Sequence, residues 1–184
     1  MTISIHVAVG VIINDNDEAL ITFRPKDKPQ GGLWEFPGGK KEINETIELA
    51  LEREFMEELS ICLKSYFPIK KIRHSYREYS VVLDVWMITD YAQTPKGAEG
   101  QGIEWRSIQS LDYEDFPEAN KQIIKILKLP KSLPITPDLK DFESLKKVLE
   151  AYRMQSIGLV QFRQTHLDAE GYLRFFKEAQ IVAE

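Results

Sequence analysis

The stretch GGKKEINETIELALEREFMEELSI, residues 38–61, holds seven glutamates in 24 positions. Three of them, Glu54, Glu57 and Glu58, fall within five positions. Residues 46–59 are predicted to form a helix, since their apolar side chains recur at helical intervals. Three like charges on one stretch of helix need a physical explanation, because neighbouring carboxylates repel each other.

The apolar side chains of this segment show which face of the helix should be buried. They recur every four positions, at Ile47, Leu51, Phe55 and Leu59. At about 100° per residue, Glu58 falls inside the arc of this apolar stripe and Glu54 falls at its edge. A solvated acidic face would lie on the opposite side. Carboxylates at a buried margin are costly unless positive charge compensates them.

An exposed acidic face is the usual interpretation of a glutamate-rich helix, but the charge balance here favours a metal site. Arg53 can pair with Glu57 one turn away, yet one arginine cannot neutralise three carboxylates. Hard divalent cations, Mg²⁺ above all, prefer clustered carboxylate oxygens. Gly38 and Gly39 have no side chains, so the loop backbone can approach the same ion and offer a carbonyl ligand.

The composition of the whole chain limits its class. The chain has 184 residues, 43% of them hydrophobic, which is typical of a globular protein. Its net charge of −5 disfavours binding to nucleic-acid backbones. The single cysteine, Cys62, excludes an internal disulfide and favours a reducing compartment. No run reaches the roughly 18 apolar residues of a membrane span. We therefore expect a soluble, cytoplasmic monomer that binds neither nucleic acid nor membranes.

The segments around the helix predict an α/β domain. Residues 3–13 are rich in β-branched side chains and predict a buried strand, which should pair as a hairpin with a strand at 18–25. Either Thr46 or Asn44 should cap the N-terminus of the acidic helix. The remaining elements of this domain are predicted to be strands at 66–74, 79–89 and 103–106 and a helix at 117–128.

A domain boundary is expected at residues 130–137, where prolines cluster. Residues 1–129 then form the first domain, and residues 130–184 form a linker and a partial second unit. Strands at 133–136 and 157–162, each followed by a helix, would make this second unit an incomplete βαβα segment.

The acidic stretch resembles the signature of the Nudix family, G-x5-E-x7-R-E-U-x-E-E-x-G-U, in which U is a bulky apolar residue. The matching positions are Gly39, Glu45, Arg53, Glu54, Phe55, Glu57, Glu58 and Ile61. Ser60 stands where the family usually has a glycine that ends the helix. The stretches AVGVIINDNDEALITFRP, LWEFPGGK and EWRSIQSLDYEDFPEAN extend the resemblance, to the MutT-type members, over residues 3–128.

This resemblance implies a Nudix α/β/α sandwich with a mixed sheet, and an enzyme that uses Mg²⁺ (or Mn²⁺). In MutT-type members water attacks the β-phosphorus of a nucleoside triphosphate, and a nucleoside monophosphate and pyrophosphate are released. The implied substrate is 8-oxo-dGTP, and the implied role is to remove oxidised purine nucleotides before DNA replication. The alternatives are another nucleotide or a thiamine-pathway pyrophosphate as substrate, or a non-catalytic nucleotide sensor, which the complete set of carboxylates disfavours.

The resemblance also implies a role for each residue of the signature. The metal ligands would be the Gly39 carbonyl and the side chains of Glu54, Glu57, Glu58 and Glu99. Arg53 would orient Glu54, and Glu45 would support the loop–helix junction or a metal-bound water. The general base is either Glu54 or Glu99. Glu99, in the glycine-rich loop GAEGQGIEW, is preferred to Glu104 as the additional glutamate.

A second set of residues is implied in substrate binding: Arg24, Phe36, Lys40, Tyr76 and Asn120. Asn120 matches the family's purine-reading asparagine, and its amide can both donate and accept a hydrogen bond. Phe36 and Arg24 match positions around the nucleoside. Lys40 would contact phosphate, and Tyr76 would line the nucleoside pocket.

The C-terminal segments LPITPD and GLVQFRQ resemble the first two strands of thiamine-phosphate synthase, which is a TIM barrel. Gln161 and Arg163 match residues that contact pyrophosphate in that family, whereas Thr165 stands where a lysine is typical. Two of eight βα units cannot form a barrel or its active site. The segment is therefore expected to be the truncated start of a longer parent, or a remnant that docks onto the first domain.

Overall fold

The computed structural model describes residues 3–26 and 31–183, with two compact units, Met1–Lys128 and Leu129–Glu184. The elements of the first unit are, in chain order, β1 (Ile3–Ile12), β2 (Glu18–Phe23), β3 (Trp34–Glu35), β4 (Gly38–Lys40), α1 (Ile47–Leu59), β5 (Cys62–Ser75), β6 (Tyr79–Ala92), β7 (Ile103–Ser107) and α2 (Lys121–Leu127). Short 3₁₀ turns occupy Ile108–Ser110, Tyr113–Asp115 and Glu118–Asn120. No helix in the described ranges is long and apolar enough to cross a membrane.

The strands of the first unit form two sheets. The larger sheet has the order β4-β1-β6-β5, in which β1 runs parallel to β6 and antiparallel to β4, and β5 runs antiparallel to β6. The smaller sheet, β3-β2-β7, is antiparallel. Together with the helices, these sheets confirm the predicted α/β fold class with a mixed sheet.

The predicted hairpin between the first two strands is wrong. β1 and β2 lie in different sheets, and only one isolated bridge, Ile13↔Ala19, joins the ends of this connection. The physical reason is that β4 and β6 occupy both edges of β1. No edge of β1 remains for a long ladder with β2.

Helix α1 packs through the apolar stripe that the sequence predicts. Of the predicted stripe, Leu51, Phe55 and Leu59 are fully buried and Ile47 is partly buried, and Ala50 is fully buried beside them. The ring of Phe55 lies directly on the backbone of β1, because a Cβ added at Gly10 would lie 2.2 Å from the Phe55 Cζ atom. This close contact holds the acidic face of α1 beside the large sheet.

Both ends of α1 are capped. Thr46, rather than Asn44, is the N-cap, and its hydroxyl oxygen accepts a hydrogen bond from the Leu49 N–H at 3.2 Å. Ser60 ends the helix in the left-handed conformation, with φ 55° and ψ 37°. Its N–H donates to the Met56 carbonyl at 3.1 Å. Ser60 thus adopts the backbone conformation of the family's glycine, at a cost of about 1 kcal/mol for its Cβ.

The second unit contains two helices, α3 (Phe142–Met154) and α4 (Ala169–Ala183). The two strands predicted at 133–136 and 157–162 are wrong in extent, because only one parallel bridge, Ile135↔Gln161, forms there. Two parallel strands are not stable by themselves, and Pro134 within the first segment lacks a backbone donor. Side chains take part in the pairing instead: the Thr136 hydroxyl donates to the Arg163 carbonyl at 3.0 Å.

Candidate active site

Arg53 is the centre of the hydrogen-bond network on the acidic face of α1. Its Nε and Nη2 atoms lie 2.9 and 3.1 Å from the two carboxylate oxygens of Glu45. Its Nη1 atom donates to Glu54 at 2.8 Å and to Glu57 at 2.9 Å, and Nη2 also donates to the Lys40 carbonyl at 3.0 Å. All five N–H donors of the guanidinium are therefore used.

Glu45 joins the loop after β4 to the first turns of α1. Besides Arg53, it binds the N–H of Glu42 at 2.9 Å. The hydrogen bond from Arg53 lowers the pKa of Glu45, with a smaller contribution from the Glu42 N–H. Its contacts lie at the loop–helix junction, so Glu45 is engaged within the protein and faces Arg53 rather than the other carboxylates.

Glu54 lies against the backbone of Gly39. A Cβ added at Gly39 would lie 2.2 Å from the carboxyl carbon of Glu54, so only glycine leaves room for this side chain. Burial raises the pKa of Glu54, although the hydrogen bond and the charge of Arg53 oppose the shift. Nearby Glu57 and Glu99 add to the increase through charge repulsion.

Glu58 lies deeper than its neighbours on the acidic face. One of its carboxylate oxygens accepts a hydrogen bond from the Gly38 N–H at 3.0 Å. Burial raises the pKa of Glu58 to about 8, and the charges of Glu35, Glu54 and Glu99 also raise it. Three neighbouring carboxylates are thus close enough to Glu58 to oppose its ionisation, and a cation would relieve this excess of negative charge.

Glu99 and Glu104 differ in their surroundings. Glu99 is exposed in the loop before β7, and its N–H donates to the side-chain carbonyl of Gln101 at 2.9 Å. Glu104 instead pairs with Arg106, at 2.8 Å from the arginine Nε. The guanidinium of Arg106 also stacks over the Trp34 ring at 4.7 Å, so Glu104 belongs to a separate network.

The acidic side chains suit a hard divalent cation in their chemistry, although they do not converge on one point. In the parts of the chain that the structure describes, no three His, Cys, Asp or Glu side chains are grouped closely enough to hold a metal ion. Glu54 and Glu57 both accept hydrogen bonds from Arg53, whereas Glu58 accepts one from the Gly38 N–H, so Glu58 is held by a different partner. The set nevertheless consists of oxygen donors next to an open glycine backbone, which is the ligand type of Mg²⁺ and Mn²⁺.

A cavity of about 510 Å³ opens beside the glycine pair. Its lining includes every residue that the sequence assigns to substrate binding: Arg24, Phe36, Lys40, Tyr76 and Asn120. Gly38 and Gly39 also line it, so the cavity extends to the loop that contacts the acidic face of α1. The volume is in the range of small-molecule binding sites.

Asn120 and Phe36 form one wall of this cavity. Asn120 is only 9% exposed, and its side-chain oxygen lies 3.4 Å from the Phe36 N–H. The Phe36 ring stacks on Phe116, with centroids 5.7 Å apart. The turn that ends at Asn120 is held by Tyr76, whose hydroxyl accepts a hydrogen bond from the Ala119 backbone. The polar amide is therefore fixed among aromatic rings.

Two polar side chains of the cavity were not singled out from the sequence, Glu35 and Tyr79. Glu35 is mostly buried and pairs with Arg24, whose Nη1 lies 3.1 Å from both carboxylate oxygens. Burial raises the pKa of Glu35 in spite of this partner. Tyr79 packs against Tyr76 at 4.9 Å between ring centroids. The sequence carried a signal for each residue. Glu35 is a charge inside the apolar segment LWEF, and Tyr79 forms an aromatic pair with Tyr76 around the β5–β6 turn.

Comparisons with known proteins agree with this geometry. A model of the NUDIX domain matches residues 8–126. The 8-oxo-dGTP diphosphatase of Escherichia coli is 38% identical over 124 residues, which are 67% of this chain and 96% of that protein. The CTP pyrophosphohydrolase of the same organism is 33% identical over 99 residues, 54% of this chain and 73% of the relative.

A solved structure supports the same assignment. It is a MutT from a study of Aliivibrio salmonicida and Vibrio cholerae, with 37% identity and a TM-score of 0.59. The match covers 67% of this chain and 96% of that one. Nudix hydrolases generally depend on a divalent metal ion, which fits the oxygen donors on α1. The acidic signature and the fold of this chain, together with these relatives, show that the chain belongs to the Nudix family.

Proposed function

We propose that this enzyme hydrolyses oxidised purine nucleoside triphosphates, with 8-oxo-dGTP as the main substrate and 8-oxo-dGMP and pyrophosphate as products. Its role would be to remove oxidised nucleotides from the pool used for DNA replication. The observation that carries the proposal is the continuity of one cavity from the buried amide of Asn120 to Gly39, which lies against Glu54. The proposed base pocket thus reaches the glycine backbone against which Glu54 packs.

The metal site of this proposal consists of the Gly39 carbonyl and four side chains, Glu54, Glu57, Glu58 and Glu99. When bound, Mg²⁺ (or Mn²⁺) would neutralise the triphosphate and acidify a bound water. The raised pKa values of Glu54 and Glu58 support this assignment, because burial, with a smaller contribution from neighbouring carboxylates, makes their negative charges costly unless a cation compensates them.

The chemical step needs a base for the attacking water. Either Glu54 or Glu99 accepts the proton as the water oxygen forms its bond to the β-phosphorus. The bond from that phosphorus to the oxygen shared with the α-phosphate breaks, and the nucleoside monophosphate leaves. Arg53 is the group that orients Glu54, through the 2.8 Å hydrogen bond between them. Lys40 lines the cavity next to Gly39 and would contact a phosphate.

Base recognition falls to the aromatic wall and Asn120. A purine is a flat ring, and Phe36 and Tyr76 offer flat apolar surfaces to it. The amide of Asn120 can donate and accept hydrogen bonds, as the edge of an oxidised guanine requires. Arg24 also lines the cavity and would contact the nucleoside, with Glu35 holding its guanidinium.

A substrate panel tests this proposal. The protein is incubated with Mg²⁺ and separately with 8-oxo-dGTP, dGTP, CTP, ADP-ribose and thiamine pyrophosphate, and the products are identified. We expect 8-oxo-dGTP to give the highest kcat/KM, with release of pyrophosphate. A clear preference for CTP, which a relative's name suggests, would replace the proposed substrate. Absence of turnover for every compound would reject the enzymatic proposal.

A further inference from the structure

The loop that contains Glu99 is hydrogen-bonded to the C-terminal end of α1. The last carbonyl groups of a helix have no partner within the helix. Here the Glu58 carbonyl accepts hydrogen bonds from the Ala98 N–H at 2.9 Å and from the Gln101 side chain at 2.8 Å. The Leu59 carbonyl accepts another from the Lys96 N–H at 3.1 Å. The loop is thus attached to the same helix that bears the acidic residues.

Gln101 links the two parts of this arrangement with one side-chain amide. Its nitrogen donates to the Glu58 carbonyl, and its oxygen accepts the Glu99 N–H at 2.9 Å. The loop also folds tightly over this residue, since a Cβ added at Gly97 would lie 2.0 Å from the Gln101 carbonyl oxygen. Both hydrogen-bonding ends of the amide are therefore engaged.

We infer that Gln101 is a positioning residue, which holds Glu99 at a set distance from the carboxylates of α1. The inference rests on the proposed function, because it assigns Gln101 the task of placing a proposed metal ligand. Glu99 is exposed and its side chain lies on a loop, so its position depends on the backbone contacts beside it. Glu58 is the shared reference point: its side chain belongs to the acidic face, and its carbonyl holds Gln101.

A residue that only stabilises the loop would behave differently from one that acts through Glu99. Loss of a structural brace lowers the melting temperature, and its effect on turnover multiplies with that of any other change. Loss of a positioning residue lowers kcat with little change in KM. It has no further effect on kcat when the Glu99 carboxylate has already been removed by substitution. A double-mutant cycle therefore distinguishes the two roles.

The test uses Gln101→Met, which keeps the length of the side chain and removes both hydrogen bonds, and Glu99→Gln, alone and combined. Gln93→Met is the matched control, because its side-chain oxygen also accepts a backbone N–H, that of Cys62 at 3.1 Å rather than that of Glu99. We expect Gln101→Met to lower kcat about 10- to 100-fold, as a small misplacement of a reacting group does. The control should keep normal kcat, and the double variant should match Glu99→Gln alone.

Two measurements do not depend on turnover. Amide hydrogen exchange at Ala98 and Glu99 should be faster in Gln101→Met and unchanged in Gln93→Met. Mn²⁺ alone, titrated by calorimetry, should bind Gln101→Met and Glu99→Gln more weakly by a similar factor. In Gln101→Glu the retained oxygen acceptor should keep the Glu99 amide partly protected, although its donor to Glu58 is lost.

Several results would overturn the inference. Losses of kcat that multiply in the double variant, or a KM effect without a kcat effect, would make Gln101 an independent group. Unchanged amide exchange would remove the link to Glu99. Failure of the proposed function is separate, since it would appear as an unmodified protein that hydrolyses no nucleotide. Exchange and Mn²⁺ binding would still decide the role of Gln101 in that case.

Discussion

Arg53 and Glu45 form a two-point ion pair across the start of α1, with Nε–Oε1 at 2.9 Å and Nη2–Oε2 at 3.1 Å. This geometry needs the planar fork of a guanidinium, since a lysine ammonium offers a single point charge. The pair fixes the plane of Arg53, so that its Nη1 atom points at Glu54 and Glu57. Glu45, which lies outside the acidic face, therefore sets the direction of the Arg53 donor that orients Glu54 and Glu57.

Arg53→Lys should lower kcat about 100-fold, because one ammonium cannot reach Glu45, Glu54 and Glu57 together. The melting temperature should fall by only a few degrees, since the apolar stripe of α1 is unchanged. Steady-state kinetics and thermal unfolding measure the two effects. Arg77→Lys, at an exposed position on the β5–β6 turn, is the control and should leave both unchanged. Normal turnover in Arg53→Lys would refute its role.

Glu54→Gln should reduce kcat by about three orders of magnitude while the fold persists. The substitution keeps the shape of the side chain against Gly39, removes its charge and replaces one acceptor oxygen by an NH2 group. Glu52→Gln is the matched control on the same helix, because Glu52 is exposed and accepts a hydrogen bond from the Tyr66 hydroxyl at 2.6 Å. Near-normal kcat in Glu54→Gln would exclude it as metal ligand and as base.

Asn120→Ala should mainly reduce the selectivity for 8-oxo-dGTP over dGTP, by about tenfold in the ratio of kcat/KM. The residue contacts the base in our proposal and lies apart from the hydrolytic carboxylates. Gln122→Ala removes an exposed amide two positions further along and should leave the ratio as it is. If Asn120→Ala keeps the same ratio, this residue does not read the base.

Ser60→Gly should stabilise the protein by about 1 kcal/mol, because glycine accepts φ 55° without a steric penalty. Ser60→Ala keeps the Cβ and should give no such gain. The free energy of unfolding from urea titration distinguishes the two variants. Equal stability of the glycine and alanine variants would mean that the serine is relaxed in this conformation.

Stability should depend on pH through Glu104. The hydrogen bond from Arg106 holds the pKa of Glu104 below its ordinary value of 4.5. A carboxyl with a depressed folded pKa stabilises the protein above its unfolded pKa, and this contribution is lost as pH falls through the folded value. The free energy of unfolding, measured by tryptophan fluorescence, should therefore decrease below pH 4.5 more in the unmodified protein than in Glu104→Gln. Identical acid profiles would contradict the pairing.

The sequence was most informative where one helix carried both a packing pattern and a chemical pattern. The stripe that contains Phe55 and an N-cap at one of two candidates, of which Thr46 is the one used, follow from local rules, and the structure agrees. These features depend on contacts within a few turns of one element. Such contacts are encoded by spacing alone.

Other features depend on which segments meet in space, and spacing does not reveal that. The prediction of a hairpin between β1 and β2 was wrong because β4, a three-residue strand that contains two glycines, pairs with one edge of β1. Glu35 enters the cavity only because β3 pairs with β2, which brings it to Arg24. The strand expected at 157–162 lacks a ladder because its pairing with Ile135 is limited to one bridge.

The contact between Phe55 and Gly10 affects how a mutational survey of this protein would be read. Gly10 lies in β1, and the proposed substrate cavity does not include it. Even a single methyl group at position 10 would collide with the Phe55 ring, so that the ring or the helix that carries Glu54 would have to shift. A screen for lost activity would therefore rank substitutions at position 10 together with substitutions of the carboxylates. A ranking by activity alone would then assign a catalytic role to a residue that is needed for packing.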